Sequence, residues 1–169
     1  MKKILLVFVL AAALAAGSAF ADHPSNKVGI GAVAGWHGNW SNTGGFGHYG
    51  LALKLPSLPV FWIVNLGFNP DYFRLGLSGD VHLIEFPIVT EANLHFYFGV
   101  GGWVSFWTQN DITDLSLGVR TPVGISWHAL PDLEVFFHIA PSLGIYFTDR
   151  GPGFPSGGWP VQVGFRYWF

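Results

Sequence analysis

The stretch Trp159-Pro160-Val161-Gln162-Val163-Gly164-Phe165-Arg166-Tyr167-Trp168-Phe169 decides the fold. Its odd positions carry Trp, Val, Val, Phe, Tyr and Phe, whereas Gln162, Gly164 and Arg166 fall on even ones. Side chains of an extended chain alternate between two faces, so a period of two describes a strand with one apolar and one mixed face. Two settings accept so apolar a face. One is the interior between packed sheets. The other is lipid, against the outside of a closed barrel whose small and polar residues line the lumen.

Composition separates the two. The chain is 50% apolar and 17% aromatic but only 11% charged, where a soluble domain carries roughly 25% charged residues. Beyond residue 21 no run reaches the ~20 apolar residues of a membrane helix. Only helices and closed barrels satisfy their backbone groups within hydrocarbon. The expected fold is therefore all-β, a transmembrane antiparallel up-and-down barrel. There is no cysteine, so no disulfide holds it.

Residues 1–21 read as a cleaved secretory signal peptide. Lys2 and Lys3 supply the positive start, Ile4 to Ala16 an apolar stretch too short to span a bilayer, and Ala19-Phe20-Ala21 a small-x-small cleavage site. Residues 22–169 remain as one barrel domain. Lys2 and Lys3 leave with the peptide, so six Lys and Arg face ten Asp and Glu, a balance that speaks against nucleic acid as a partner.

Alternation divides the mature chain into eight strands, at 27–36, 46–55, 60–68, 73–83, 93–106, 115–127, 133–147 and 159–169. An even number leaves both ends of the domain on one side. Short turns at 56–59 and 128–132 fall on that side. Longer Gly- and polar-rich loops at 37–45, 108–114 and 148–158 fall on the other. The link 84–92 is apolar for a turn and contains Pro87; it either extends a hairpin or folds against the barrel end. Trp36, Trp40, Tyr72, Phe73, Trp107 and Phe147 gather at one height, and Trp62, Trp127, Tyr167 and Phe169 at the other, as aromatic girdles do.

Parity turns Lys54, Arg74, Arg120 and Arg166 into the lumen with Asp80 and Glu134. Asp22, Asp71, Glu85, Glu91, Asp111, Asp114, Asp132 and Asp149 fall in links or termini. A lumen of both signs reads as a packed, hydrogen-bonded ion network, since eight strands leave room for little besides side chains. The sharper alternative is a narrow anion-favouring path lined by the excess Arg and Lys. His82, His95 and His138 also point inward, and three imidazoles can bind a transition metal. No ligand spacing such as H-x-x-x-H occurs, so interior hydrogen bonding is expected, with no metal and no other cofactor.

Acyl hydrolysis needs a hydroxyl and a base within hydrogen-bond reach. The chain offers His138-Ile139-Ala140-Pro141-Ser142 on an inward face, and Ser126 with His128 beside a turn. Barrel-shaped lipid A deacylases are similar in size but carry a His-x-Ser pair on a lipid-facing edge, a spacing absent at these positions. No catalytic residue is assigned. Gly99-Val100-Gly101-Gly102 is a glycine patch within a strand and precedes no helix, so it is no nucleotide loop.

With leader, alternation and terminal Phe169 in hand, the chain resembles the small eight-stranded outer-membrane β-barrels of the OmpA, OmpX and OmpW type over nearly all of residues 27–169. Its ending, with Phe165, Tyr167 and Phe169 on one face, resembles the C-terminal signal by which the barrel-assembly machinery recognises such chains. The resemblance implies residence in outer-membrane lipid, that machinery as a partner, and an extracellular ligand met by the loops. No residues remain for a separate peptidoglycan-binding domain. Functions in that group diverge between anchoring, adhesion and the passage of small or hydrophobic molecules. The reading that results is a non-enzymatic barrel with a structural or surface-interaction role through its loops. A narrow porin-like channel comes second and a lipid A-modifying enzyme third.

Overall fold

The computed structural model describes residues 27–40, 45–56, 58–69, 72–109, 112–149 and 151–169; the expected signal peptide lies outside them. These residues form ten strand segments: β1 (Gly29–Asn39), β2 (Gly45–Lys54), β3 (Phe61–Asn69), β4 (Tyr72–Val89), β5 (Leu94–Gln109), β6 (Ile112–Arg120), β7 (Val123–Leu130), β8 (Leu133–Ile139), β9 (Ser142–Thr148) and β10 (Gly151–Trp168). Every pairing is antiparallel, and β1 pairs with β10 to close the sheet. Both β6 and β7 pair with β5, and both β8 and β9 pair with β10. The breaks fall where Pro122 and Pro141 lack a backbone N–H. Carbonyls carry the ladder across: Gly99 N–H donates to Pro122 O at 2.8 Å, Thr121 N–H to Pro141 O at 2.9 Å and Ala140 N–H to Pro160 O at 2.9 Å. Ten segments thus make eight staves, β6–β7 and β8–β9 being one stave each.

The register fixes the barrel's dimensions. Stepping from partner to partner, Asn39 meets Gly158, Ser142, Arg120, Gly101, Asp80, Phe61, Lys54 and then Gly29. One circuit returns to β1 ten residues lower, a shear of ten. Being even, it keeps inward residues beside inward residues all the way round. With about 3.3 Å per residue and about 4.8 Å between strands, this tilts the staves by about 41° at a radius of about 8 Å. Side chains fill an interior of that width.

The hairpins are longer and the loops shorter than the sequence suggests. β5 and β6 run to Gln109 and Ile112, and β9 and β10 to Thr148 and Gly151, so most of the expected loops 108–114 and 148–158 is paired strand. The strand bounds leave gaps of similar length on both sides, against the expected contrast between short turns on one and long loops on the other. The link 84–92 extends the β4–β5 hairpin, which closes at Thr90–Asn93 with Asn93 N–H donating to Thr90 O at 3.1 Å. Asn93 takes the left-handed conformation, φ 50°, which asparagine tolerates. β3 pairs only as far as Asp80 and β1 only as far as Gly158. Among the described residues, the stretches of β4 and β10 beyond those points are paired on one edge only, and there Pro87, Pro152 and Pro155 sit. Proline tolerates such an edge and blunts it against further pairing.

The two faces are inverted relative to a soluble protein. On the outside Leu51, Leu75, Val100, Leu117, Phe137 and Val163 are 40–54% exposed, while inside Arg166, Glu134 and Gln162 are 0–2% exposed. Besides register shifts near hairpin ends at Pro87/Val89 and His128/Leu130, parity slips within two staves, β10 between Gly153 and Ser156 against Tyr146 and Gly144, and β4. Between His82 and Ile84 the β4 register slips by a residue against Gly99 and Phe98. Leu83, expected on the outer face, is the extra residue of this bulge. Beyond it Ile84, Phe86 and Ile88 face out and Glu85 faces in.

Single-cysteine spin labels along β4 test the bulge. Labels at 75, 77, 81, 84 and 86 are expected to be relaxed by a lipid-soluble quencher, with 78, 82 and 85 protected; strict alternation past 82, exposing 83 and 85, would refute it.

Candidate functional site

Inward parity on eight staves brings the ionisable residues into one column, and register decides which of them meet. In the lower tier, nearest Lys27 and Phe169, Glu134 and Arg166 are direct cross-strand partners. Arg166 Nη1 donates to Glu134 Oε1 at 2.8 Å. The guanidinium lies 4.7 Å from the Phe61 ring centroid and 4.2 Å from that of Phe136. Aromatic faces stabilise a cation that water cannot reach. Lys54 donates to the carbonyls of Leu55 and Leu58, with its ammonium 5.5 Å from the Phe61 centroid.

The middle tier centres on Arg120. Its Nε lies 3.1 Å from Asp80 Oδ1, its Nη1 donates to Ser78 Oγ at 3.0 Å, and its Nη2 reaches Gln162 Oε1 at 3.3 Å and His138 Nε2 at 3.2 Å. Gln162 continues the network, with Nε2 2.8 Å from His48 Nε2 and 3.1 Å from Asn65 Oδ1. His138 Nδ1 bonds Tyr97 Oη at 2.8 Å. Beside the ion pair, a Cβ at Gly101 would collide with Asp80 Oδ1. Only glycine leaves room there for the carboxylate, which explains one member of the Gly99–Gly102 patch.

His82, His95 and His138 do not converge. Tyr97 separates His82 from His138, stacking on His82 at 4.1 Å while its hydroxyl bonds His138. His82 also stacks on Phe61 at 4.1 Å. His95 lies lower, its Nδ1 3.5 Å from Glu85, whose other oxygen is 3.6 Å from His82 Nδ1. No group of three or more potential ligands is placed to hold a metal among the described residues.

Two acids expected in links belong to strands instead. The bulge swings Glu85 inward, and Asp114 lies on β6 with Ser116 Oγ donating to it at 2.5 Å. The lumenal face therefore carries Lys54, Arg74, Arg120 and Arg166 against Asp80, Glu85, Asp114 and Glu134. The overall basic excess expected of an anion path is gone. Sequence reasoning also missed the connecting groups Gln162, Tyr97, Ser78, Asn65 and His48. Their inward parity was readable; their common height depends on register. Arg74 stands higher, its guanidinium 4.4 Å from the Phe46 ring centroid. Phe165, Tyr167 and Phe169 line the outer face at the lower end, 45–68% exposed.

The candidate enzymatic pair is committed elsewhere. Ser142 Oγ donates to Gly158 O at 3.1 Å and accepts from Gly158 N–H at 3.0 Å. Both His138 nitrogens belong to the network above.

Removing one partner of a buried ion pair strands the other charge, at a cost of about 3–5 kcal/mol. Asp80→Leu or Arg120→Met alone is expected to lower unfolding stability in urea and detergent by that amount. The double variant should recover most of it. Additive losses in the double variant would show that the pair does not act as a unit.

No protein-family model matches the sequence, and no curated protein matches it. Among solved structures, the N-terminal β-barrel domain of Pseudomonas aeruginosa OprF matches with a TM-score of 0.54 at 14% identity, over 85% of this chain and 98% of that one. Neisserial surface protein A matches with a TM-score of 0.48 at 12% identity, over 85% of this chain and 97% of that one. At such identity the OprF likeness speaks to fold alone, and the fold it shares is that of a small outer-membrane-type β-barrel.

Proposed function

We propose that this chain is an integral outer-membrane barrel that neither conducts nor catalyses, a structural element of the envelope that meets the outside through its hairpin tips. The observation that carries the reading is the inverted polarity: paired charges and amides packed inside, an apolar and aromatic surface outside. An aqueous environment would penalise that surface by about 25 cal/mol per Å², whereas lipid accepts it. Two tiers of side chains support a closed lumen, and the commitments of Ser142 and His138 support the absence of acyl-transfer chemistry. Because β9 and β10 stay paired as far as Thr148 and Gly151, surface contact there is made at the ends of those strands rather than by a long loop at 148–158. The apolar outer face of β10, with Phe165, Tyr167 and Phe169, is the surface offered to the assembly machinery.

Recording across planar bilayers tests this directly. The refolded chain, verified by a gel mobility that shifts on boiling, is expected to give no discrete conductance. Reproducible single-channel steps that change selectivity in Arg120→Ala would establish the channel instead.

A further inference from the structure

β10, the last stave, lies between β1, the first, and the β8–β9 stave. At its lower end it is bonded on both edges. Phe169 N–H donates to Val28 O at 2.9 Å, and Trp168 N–H to Asp132 O at 2.8 Å. Over that end runs a contact between the two flanking staves themselves: Lys27, the residue before Val28, places Nζ 2.5 Å from Asp132 Oδ1. The upper part repeats the arrangement. Asn39, Gly158 and Ser142 stand on one rung across β1, β10 and β9, and Trp40 Nε1–H donates across β10 to Ser142 O at 2.6 Å. The Trp40 ring lies parallel to that of Trp159 on β10, at 5° with 6.1 Å between centroids. Ser142 also grips the stave being spanned, its hydroxyl bonding both the N–H and the carbonyl of Gly158.

We propose that Lys27–Asp132 and Trp40–Ser142 are two straps that hold the last stave in its slot and keep the barrel shut at its closing seam. They join residues 105 and 102 positions apart. Contacts so distant in sequence repay their loop-closure cost only once the intervening staves are paired, so the straps form last. A displacement of β1 by two residues along β10 leaves every side chain on its own face, and alternation does not oppose it. The same displacement would carry Lys27 and Trp40 about 7 Å from their acceptors, beyond hydrogen-bond reach. The straps thus discriminate against a slip that parity accepts. They also differ in kind. The lower one is ionic, with both side chains 42% exposed, so salt weakens it. The upper one is a hydrogen bond between neutral groups, which salt leaves in place.

Amide hydrogen exchange in the refolded barrel, followed by NMR, is the test, because local opening sets the exchange rate. The Trp168 and Phe169 amides report on the lower strap, Gly158 N–H on the upper, and the β3–β4 ladder serves as the control. Lys27→Ala is expected to speed exchange of Trp168 and Phe169 by about two- to fivefold, the scale of one exposed ion pair. Gly158 and the β3–β4 ladder should not change. Exchanging the charges, Lys27→Asp with Asp132→Lys, restores the protection. Trp40→Phe, which keeps an aromatic ring and removes the donor, speeds Gly158 and leaves the lower end alone. Salt at about 1 M, where the Debye length is ~3 Å, reproduces the first effect in the unaltered chain and not the second. A variant that leaves exchange at its own end of the seam unchanged overturns its strap. A rise shared equally by the β3–β4 ladder overturns both, since it marks a general loss of stability.

Discussion

The constraint on which this structure depends is that charges placed inside a narrow barrel must find partners there. Eight staves with a shear of ten leave an interior that side chains fill, with no bulk water to solvate an unpaired ion. The molecule meets this by tiers. Arg166 is held by Glu134 and two aromatic faces, Arg120 by Asp80 and the three polar neighbours Ser78, His138 and Gln162, and Lys54 by backbone carbonyls. Each tier joins staves far apart in sequence, such as Asp80 with Arg120 and Glu134 with Arg166. Buried polar groups of this kind can contribute specificity of register as much as stability. A one-residue slip of any stave would turn its charged residues into lipid.

Much of this was legible in the residues themselves. Period-two alternation identifies the eight staves and their outward faces, because a lipid-facing surface must be apolar at every second position. The same parity places Lys54, Arg74, Asp80, Arg120, Glu134 and Arg166 inside. What alternation does not carry is height. Whether Arg120 meets Asp80 or Glu134 depends on the stagger between strands, and the stagger is fixed by pairing rather than by any single strand's composition. Gln162 looks like an ordinary polar residue on an inward face until its level with His48, Asn65 and His138 is known.

The other departures share a cause. Leu83 continues an unbroken apolar alternation, so nothing in the residues marks the bulge that sends Glu85 inward. The polar, Gly- and Pro-rich stretch 148–158 has the composition of a loop, yet pairs as a hairpin because glycine and proline are accepted on a strand with a free edge. Composition reports local preference, and here cross-strand hydrogen bonding overrides it. The outcome is a barrel whose β5–β6 and β9–β10 hairpins stay paired as far as Gln109 and Gly151 and whose middle is packed with paired side chains.

The most direct test of water-excluding ion pairs in the barrel's lower and middle tiers is the exchange of the Arg120 and Arg166 Nε–H protons with water. Guanidinium protons in solvent exchange too fast to observe at neutral pH. In the refolded barrel the account requires both resonances to be resolved and protected, since both side chains are 2–4% exposed. Rapid exchange at either arginine would mean that water threads the tiers, and the closed, ion-paired interior would have to be abandoned.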